Sequence, residues 1–284
     1  MKTYLDCFPC FMRQALFAAR ISTNDVKLQR EVLNRVADEL RRFPLNATPV
    51  AMGERIHNIV KEITGNKDPF KKEKEKYNKI AKGMLKELWE LVKNADDQLL
   101  MAIRIAIAGN IIDFGSLKDF NIRASLNDAI SQEFAIFDYD KFKEVLEKAD
   151  EIMYIGDNAG EICFDRVLVE VLRNMGKKIY FITREEPIIN DITIPDAEFC
   201  GMSKVAEVLS SGSVAPGTII KHTTKTFQKL FYSVPMIIAK GQGNYETLSD
   251  EKRPIFFLLK VKCPVIARDI GAKNMDIVLK YNLA

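Results

Sequence analysis

The spacing of apolar residues changes character partway along this chain. Over roughly the first 110 residues they recur every three or four positions, the mark of amphipathic helices. Residues 11–21 predict a first helix, with apolar side chains at 11, 12, 15, 16 and 19. Val26, Leu33, Val36 and Leu40 predict a second, capped by Asn24 or Asp25 and stopped by Phe43-Pro44. Thr48-Pro49 opens a third, ended by Gly65. Asp68-Pro69 starts a long charged segment reaching about Val92, with Tyr77, Ile80, Met84, Leu85, Leu88 and Leu91 on one face. Its lysines and glutamates read as a solvated helix face. Residues 99–107 are apolar nearly all round and predict a central buried helix ending at Gly109-Asn110.

Beyond about Phe142 short β-rich runs alternate with helical ones. A helix over 142–149 leads to a strand over 152–155, a helix to 175 and a strand over 178–183. A helix around 204–209, a strand over 218–221, a helix around 227–232 and a strand over 236–239 follow. Strands over 256–261 and 265–267 close the pattern. Such alternation predicts an α/β fold with a mostly parallel sheet and crossover helices. We place the boundary between a helical domain, 1–141, and a sheet domain, 142–284, near Phe142.

Composition narrows this picture only a little. At 284 residues and 47% apolar content the chain can form one large core or two unequal ones. A net charge of +3 with both signs interspersed gives no preference for nucleic acid or an acidic membrane. The longest apolar stretches are too short to span a bilayer. The start, Met1-Lys-Thr-Tyr-Leu-Asp, lacks the apolar core of a signal peptide, which points to a cytoplasmic protein. Five cysteines in a chain of this length do not form a disulfide framework.

The chemistry collects at predicted strand ends. Gly156-Asp157-Asn158-Ala159-Gly160-Glu161 joins the strand at 152–155 to a helix. That places a carboxylate and an amide where open α/β sheets bind ligands, beside a helix start that favours an anion. An Asp-Asn pair there is also an ordinary helix cap, and locally the two readings are level. Asn190 and Asp191 follow the next strand, beyond Glu185-Glu186-Pro187, and Gly241-Gln242-Gly243-Asn244 follows the strand at 236–239. In a parallel sheet these ends share one edge, so the groups converge on one crevice. Two carboxylates and an amide oxygen suit Mg²⁺ or Mn²⁺. Zinc is disfavoured, since His57 and His222 are not spaced as a ligand pair. Lys262, at the end of the last long strand, can neutralise a phosphoryl group. Asn110 and Asp113 either cap the apolar helix or reach into the crevice. Cys7-Phe-Pro-Cys10 lacks both the preceding strand of a redox pair and the second ligand pair of a zinc site, so an inert, buried role ranks first.

Together, Gly156 to Glu161, Pro187-Ile-Ile-Asn190-Asp191-Ile-Thr193, Lys240-Gly-Gln-Gly-Asn244-Tyr-Glu-Thr-Leu248 and Leu259-Lys-Val-Lys262-Cys263-Pro264 resemble the damage-control phosphatase family. This family was long a domain of unknown function and contains metal-dependent phosphatases. The CxxC pair and Ala108-Gly-Asn110-Ile-Ile-Asp113-Phe-Gly115 resemble its prokaryotic branch, and the likeness runs from Cys7 to about Gly271. It implies an α-helical N-terminal domain packed on an α/β/α Rossmann-like domain. It implies that Asp157, Asn158 and Asp191 hold a divalent metal (Mn²⁺, Ni²⁺, Co²⁺ or Mg²⁺) and do the catalysis, and that the Asn244 turn and Lys262 contact substrate phosphate. Asn110, Asp113, Glu161 and Gly243 complete the substrate-binding candidates. Around Gln242 and Glu246 the chain departs from the eukaryotic members, at the place where a sugar would be read.

The expected activity is hydrolysis of small phosphomonoesters, sugar phosphates or related metabolites, with direct attack by water favoured over an aspartyl phosphate on Asp157. The alternative is an S-adenosylmethionine-dependent methyltransferase, with Glu185 where an acid would bind a ribose. Gly156-x-x-x-Gly160 is not GxGxxG, however, and Asp157 would aim a carboxylate at the cofactor. A metal-dependent binding module without turnover is the third reading.

Overall fold

The protein, seen here in a computed structural model that describes residues 1–111 and 122–283, is a seven-stranded sheet with helices on both faces. The strands are β1 (Phe134–Phe137), β2 (Glu151–Ile155), β3 (Lys178–Thr183), β4 (Glu207–Ser210), β5 (Met236–Lys240), β6 (Ile255–Lys260) and β7 (Ile277–Tyr281). Their spatial order is β1-β7-β6-β5-β2-β3-β4. The five strands from β6 to β4 are mutually parallel, while β7 pairs antiparallel with β6 and parallel with β1. From β2 the chain moves outward through β3 to β4, then returns to place β5 on the other side of β2. The order therefore reverses between β2 and β5, and a crevice opens at such a reversal beyond the strand carboxyl ends.

Both faces of the central strands are buried, so their sequences are nearly continuous apolar runs. Ile152 and Tyr154 of β2 pack with Phe181, Ile238 and Phe256 on one face. Met153 and Ile155 pack with Ile182, Ile237 and Phe257 on the other. The first face is covered by α4 (Lys71–Lys93), α5 (Gln98–Ile111), α6 (Ile122–Ser131), α7 (Tyr139–Lys148), α8 (Glu161–Asn174) and α9 (Ile194–Cys200). The second is covered by α10 (Lys225–Ser233), α11 (Gly241–Leu248) and α12 (Pro264–Ile270). A smaller core belongs to α1 (Cys7–Ser22), α2 (Val26–Leu40) and α3 (Pro49–Thr64), joined by Val265 of α12. The hydrophobic cores thus part between α3 and α4: helices α4 and α5 share the core of the sheet, and β1 lies in the sheet ahead of the expected boundary at Phe142.

Several local expectations are corrected. Residues 265–267 are helical, because Pro264 pre-sets the first helical position and Gly271, at φ 80°, closes the end. Residues 204–209 hold a 3₁₀ turn and then the edge strand β4, whose partner β3 outweighs the helical spacing. Residues 218–221 run into a 3₁₀ turn instead of a strand. Gly241–Asn244, read as a turn, is the first turn of α11. Helix α9, with its Thr193/Asp196 capping box, and strands β1 and β7 were not foreseen. Among the described residues no helix is long and apolar enough to cross a membrane.

Candidate active site

The crevice at the reversal is built by three loops. Beyond β2 the chain is held to the loop after β3 by backbone bonds: Ala159 N–H donates to the Asn190 carbonyl (2.8 Å) and Ile192 N–H to the Asp157 carbonyl (3.0 Å). Asn158 and Asp191 also form an antiparallel bridge. This pairing carries Asp157, Asn158 and Asp191 to one place although 33 positions separate the two loops in the motif numbering from Asp157 to Asn190. Gly156 allows the turn, since a Cβ there would lie 2.4 Å from Ile192 Cδ1. From β5, Gly241 (φ 76°) presses so closely on the site that a Cβ would fall 1.9 Å from Asp157 Oδ2. Gly243 is small for another reason: a Cβ would meet the Pro216 carbonyl at 2.1 Å, so it accommodates the neighbouring chain.

Around these loops lies a buried polar network. Asp157 Oδ2 accepts from Asn158 Nδ2 (2.7 Å) and Asn110 Nδ2 (3.3 Å). Glu161, the first residue of α8, accepts on Oε2 from Asn110 (3.0 Å) and Asn158 (3.2 Å), and its Oε1 binds Lys240 Nζ. Lys240, wholly buried at the end of β5, also donates to Asp165 Oδ1 (2.6 Å) and the Ala106 carbonyl (2.7 Å). Tyr154 donates to the same Asp165 oxygen at 2.7 Å. Arg184, just past β3 and equally buried, donates to Asp191 Oδ2 (2.8 Å), Thr218 Oγ1 (3.2 Å) and Asn244 Oδ1 (3.2 Å). Burial, then the charges of Glu161 and Asp191, push the Asp157 carboxyl well above its ordinary range. Burial also raises Asp191, against the opposing pull of Arg184, and lifts Asp165 to about 7 against Lys240.

Four buried carboxylates, Asp157, Glu161, Asp165 and Asp191, therefore meet two buried cations, Lys240 and Arg184. Among the described residues the carboxylate with no cation in direct contact is Asp157, whose side-chain donors are both neutral amides. This is an electrostatic deficit that a divalent cation would fill, and the donors are the hard oxygens such a cation prefers. Among the described residues no three or more Asp, Glu, His or Cys side chains form a ready-made cage. Two carboxylates plus the Asn158 amide leave room for water and phosphate, as small hard cations require.

The sequence-predicted residues fall as follows. Asp157, Asn158, Asp191, Glu161 and Asn110 are in mutual contact or one bond removed, and Asn110 reaches into the crevice from the last turn of α5. Asp113 lies outside the described residues. Lys262 is exposed at the rim, and its charge favours the ionised form of Asp157. Its N–H donates to Gln242 Oε1 (2.5 Å). Asn244 is completely buried and committed inward, donating to the Gly156 and Lys240 carbonyls (3.2 and 2.7 Å) and accepting from Arg184 and Thr218. Arg184, Asp165 and Asn78 have no place in the sequence motifs, and Lys240 stands in one only as its first residue, without a role. Asn78, on the charged helix read as solvated, is buried and accepts the Gly160 N–H at 2.7 Å. A Lys at the end of an all-apolar strand and an Arg one residue past another were the available signals.

The fold agrees with that of a relative of this chain. Residues 3–278 match the model of the damage-control phosphatase ARMT1-like domain. The chain is 33% identical to damage-control phosphatase PH1575 of Pyrococcus horikoshii, over 99% of each chain. It is 34% identical to a damage-control phosphatase of Archaeoglobus fulgidus, again over 99% of each. An uncharacterized protein of Methanocaldococcus jannaschii, MJ0202, is 36% identical over 96% of this chain and 93% of its own. The crystal structure of the Pyrococcus protein, a DUF89 family member, superposes with a TM-score of 0.93 at 31% identity, covering 99% of both chains. The chain belongs to the damage-control phosphatase ARMT1-like domain family.

Proposed function

We propose that this chain is a divalent-metal-dependent phosphatase of small phosphomonoesters, working in the cytoplasm on a phosphorylated metabolite. The observation that carries the reading is the junction of Asp157, Asn158 and Asp191 at the sheet reversal, with Asp157 lacking a direct cationic partner among the described residues. Family membership supports the phosphatase role. Five free thiols suit a reducing compartment.

Phosphoryl transfer asks a protein mainly for positioning and charge neutralisation. Asp157, Asn158 and Asp191 would hold the metal (Mn²⁺, Ni²⁺, Co²⁺ or Mg²⁺), which supplies Lewis acidity and an activated water. Asn110 and Lys240 fix Glu161, and Arg184 fixes Asp191, so the oxygen donors are set before substrate arrives. Lys262 and the N–H groups opening α11 would neutralise the phosphoryl oxygens, where charge grows in the transition state. The methyltransferase alternative finds no support among the relatives, two of which are named damage-control phosphatases.

The test is phosphate release from a panel of sugar phosphates with Mg²⁺, Mn²⁺, Co²⁺ or Ni²⁺ added to metal-stripped protein. We expect turnover that vanishes in Asp157→Ala and Asp191→Ala while the fold survives. No release with any metal, or unchanged metal affinity in both variants by calorimetry, removes the reading.

A further inference from the structure

Helix α4 carries lysines and glutamates along most of its length, yet one of its polar side chains turns inward and reaches both loops of the proposed metal site. Asn78 is only 2% exposed. Its Oδ1 accepts the Gly160 N–H at 2.7 Å, and its Nδ2 donates to Asp196 Oδ1 at 2.8 Å. The first of these bonds fixes the peptide that follows Ala159, whose own N–H donates to the Asn190 carbonyl at 2.8 Å. Gly160 takes a left-handed backbone, φ 81°, between Asn158 and Glu161. How that one residue is held therefore aims the side chains on either side of it.

The second bond fixes the other loop. Asp196 closes the capping box of α9, its Oδ2 accepting the Thr193 N–H (2.9 Å) and the Thr193 hydroxyl (2.7 Å). Thr193 stands two positions after Asp191, and Ile192 between them donates its N–H to the Asp157 carbonyl at 3.0 Å. Lys74, one turn before Asn78 on α4, has its Nζ 3.9 Å from Asp196 Oδ2 and 3.0 Å from Asp68 Oδ2. Only one orientation of the Asn78 amide serves both partners. Turned over, its NH₂ would face the Gly160 N–H and its oxygen would face the Asp196 carboxylate. The amide is therefore a directional bridge, and losing either end leaves a buried polar group unpaired. Both bonds leave α4 for distant chain, 82 and 118 positions away.

Resting on the phosphatase reading above, we infer that Asn78 is a positioning residue for the metal: from helix α4 it sets the spacing of the turn from Asn158 to Glu161 against the Asp191 loop. It touches neither metal nor substrate and acts through Gly160 and Asp196. Arg184 holds the Asp191 loop by its side-chain carboxylate, and Asn78 holds the same loop from the opposite flank, by way of the α9 cap. Groups that orient metal ligands in this way govern metal affinity by about 10–100-fold.

The test measures Mn²⁺ affinity by calorimetry on folded protein, at temperatures chosen from the melt of each variant. Asn78→Leu, close in volume and uncharged, removes both bonds and should weaken Mn²⁺ binding by about 10–100-fold, with phosphate release falling alongside. Val92→Ala truncates a buried side chain about 21 Å further along the same helix. It should destabilise α4 through the core and keep wild-type Mn²⁺ affinity. The decisive variant exchanges the pair. Asn78→Asp alone sets two carboxylates against each other, and Asp196→Asn alone sets two amides together. Combined, they reverse donor and acceptor and keep every bond: the carboxylate at 78 accepts from Gly160 and from the amide at 196, whose oxygen serves Thr193. The exchanged pair should bind Mn²⁺ about tenfold or more tighter than either single variant, a coupling expected only of residues in contact. Wild-type affinity in Asn78→Leu, an equal loss in Val92→Ala, or no recovery in the exchanged pair overturns the bridge and leaves the phosphatase intact. Wild-type protein that neither binds Mn²⁺ nor releases phosphate with any metal removes the phosphatase reading and the bridge with it.

Discussion

Arg184 and Asp191, seven positions apart, form a buried ion pair, Nε to Oδ2 at 2.8 Å, across the ends of the loop between them. The guanidinium then reaches Thr218 and Asn244, so one side chain ties the Asp191 loop to the helix that begins at Gly241. Such a pair is not evidence of net stabilisation, but its removal leaves a buried charge alone.

Arg184→Met should therefore destabilise the fold by about 3–5 kcal/mol and weaken metal binding about 10–100-fold, as losing a group that orients a ligand does. Arg184→Lys keeps a charge for Asp191 without the planar fork and should recover part of the metal affinity but less of the stability. Denaturant melts and calorimetric metal titration read the two effects separately. Wild-type metal affinity in Arg184→Met would show that Asp191 is positioned without it.

Gly241→Ala touches no proposed ligand by name, yet its Cβ would fall 1.9 Å from Asp157 Oδ2 at a backbone φ of 76°. We expect Asp157 to be displaced and metal affinity and turnover to fall together, by about a hundredfold in kcat/KM for misplacement of about 1 Å. Gly65, at φ 69° with open space around it, is the control for the backbone conformation alone. Gly65→Ala should cost only about 1–2 kcal/mol of stability, with activity retained at temperatures where it is folded.

Lys262→Ala should lower kcat/KM by about a hundredfold, typical of losing one group that stabilises transition-state charge, and leave metal binding nearly unchanged. Lys260, which spacing alone suggests as an inert comparison, is itself buried, and burial followed by the Lys262 charge depresses its ammonium. Its backbone N–H lies 3.5 Å from Asn110 Oδ1. Lys260→Met, which preserves the stem, is the better comparison, and it should affect kcat/KM far less than Lys262→Ala. Equal losses would remove Lys262 from the phosphate-contacting set.

His57 supplies a pH dependence. Burial, then the charge of Lys61, lowers its imidazole from 6.5 to about 4. In the unfolded chain it therefore binds a proton more readily, so its contribution is complete above about pH 6.5 and is lost as pH falls toward 4. Full expression of that shift is worth about 3 kcal/mol. Glu246, raised to about 7 by burial, acts in the opposite direction between 4.5 and 7, so the raw stability curve mixes the two. The difference between wild type and His57→Gln in denaturant melts isolates His57. It should shrink on acidification through this window, and a difference independent of pH would contradict it.

Much of this architecture is written locally. The helices over α1 to α5 follow from three- and four-residue spacing with Pro49 and Gly65 as punctuation, and β2, β3, β5 and β6 from apolar runs buried on both faces. The strand-end Asp157, Asn158 and Asp191 were legible because a parallel sheet brings its carboxyl ends to one edge regardless of the intervening sequence. Strand order is a nonlocal choice, and it was not legible. That β5 returns beside β2, opening the crevice between Asp157 and Gly241, depends on the packing of whole helices. The edge strands β1 and β4, and β7 beside β1, are short and acquire their identity from the neighbours they pair with, so their own residues carry little signal. The same holds for charge. Sequence alone makes Lys74, Asn78, Arg184 and Lys240 solvated by default, and only tertiary burial turns them into obligatory partners of Asp68, Gly160, Asp191 and Glu161. The meeting of Cys7, Cys10 and Cys263 is of this second kind: more than 250 residues of chain lie between them, and the docking of α1 against the sheet edge joins them at one cavity.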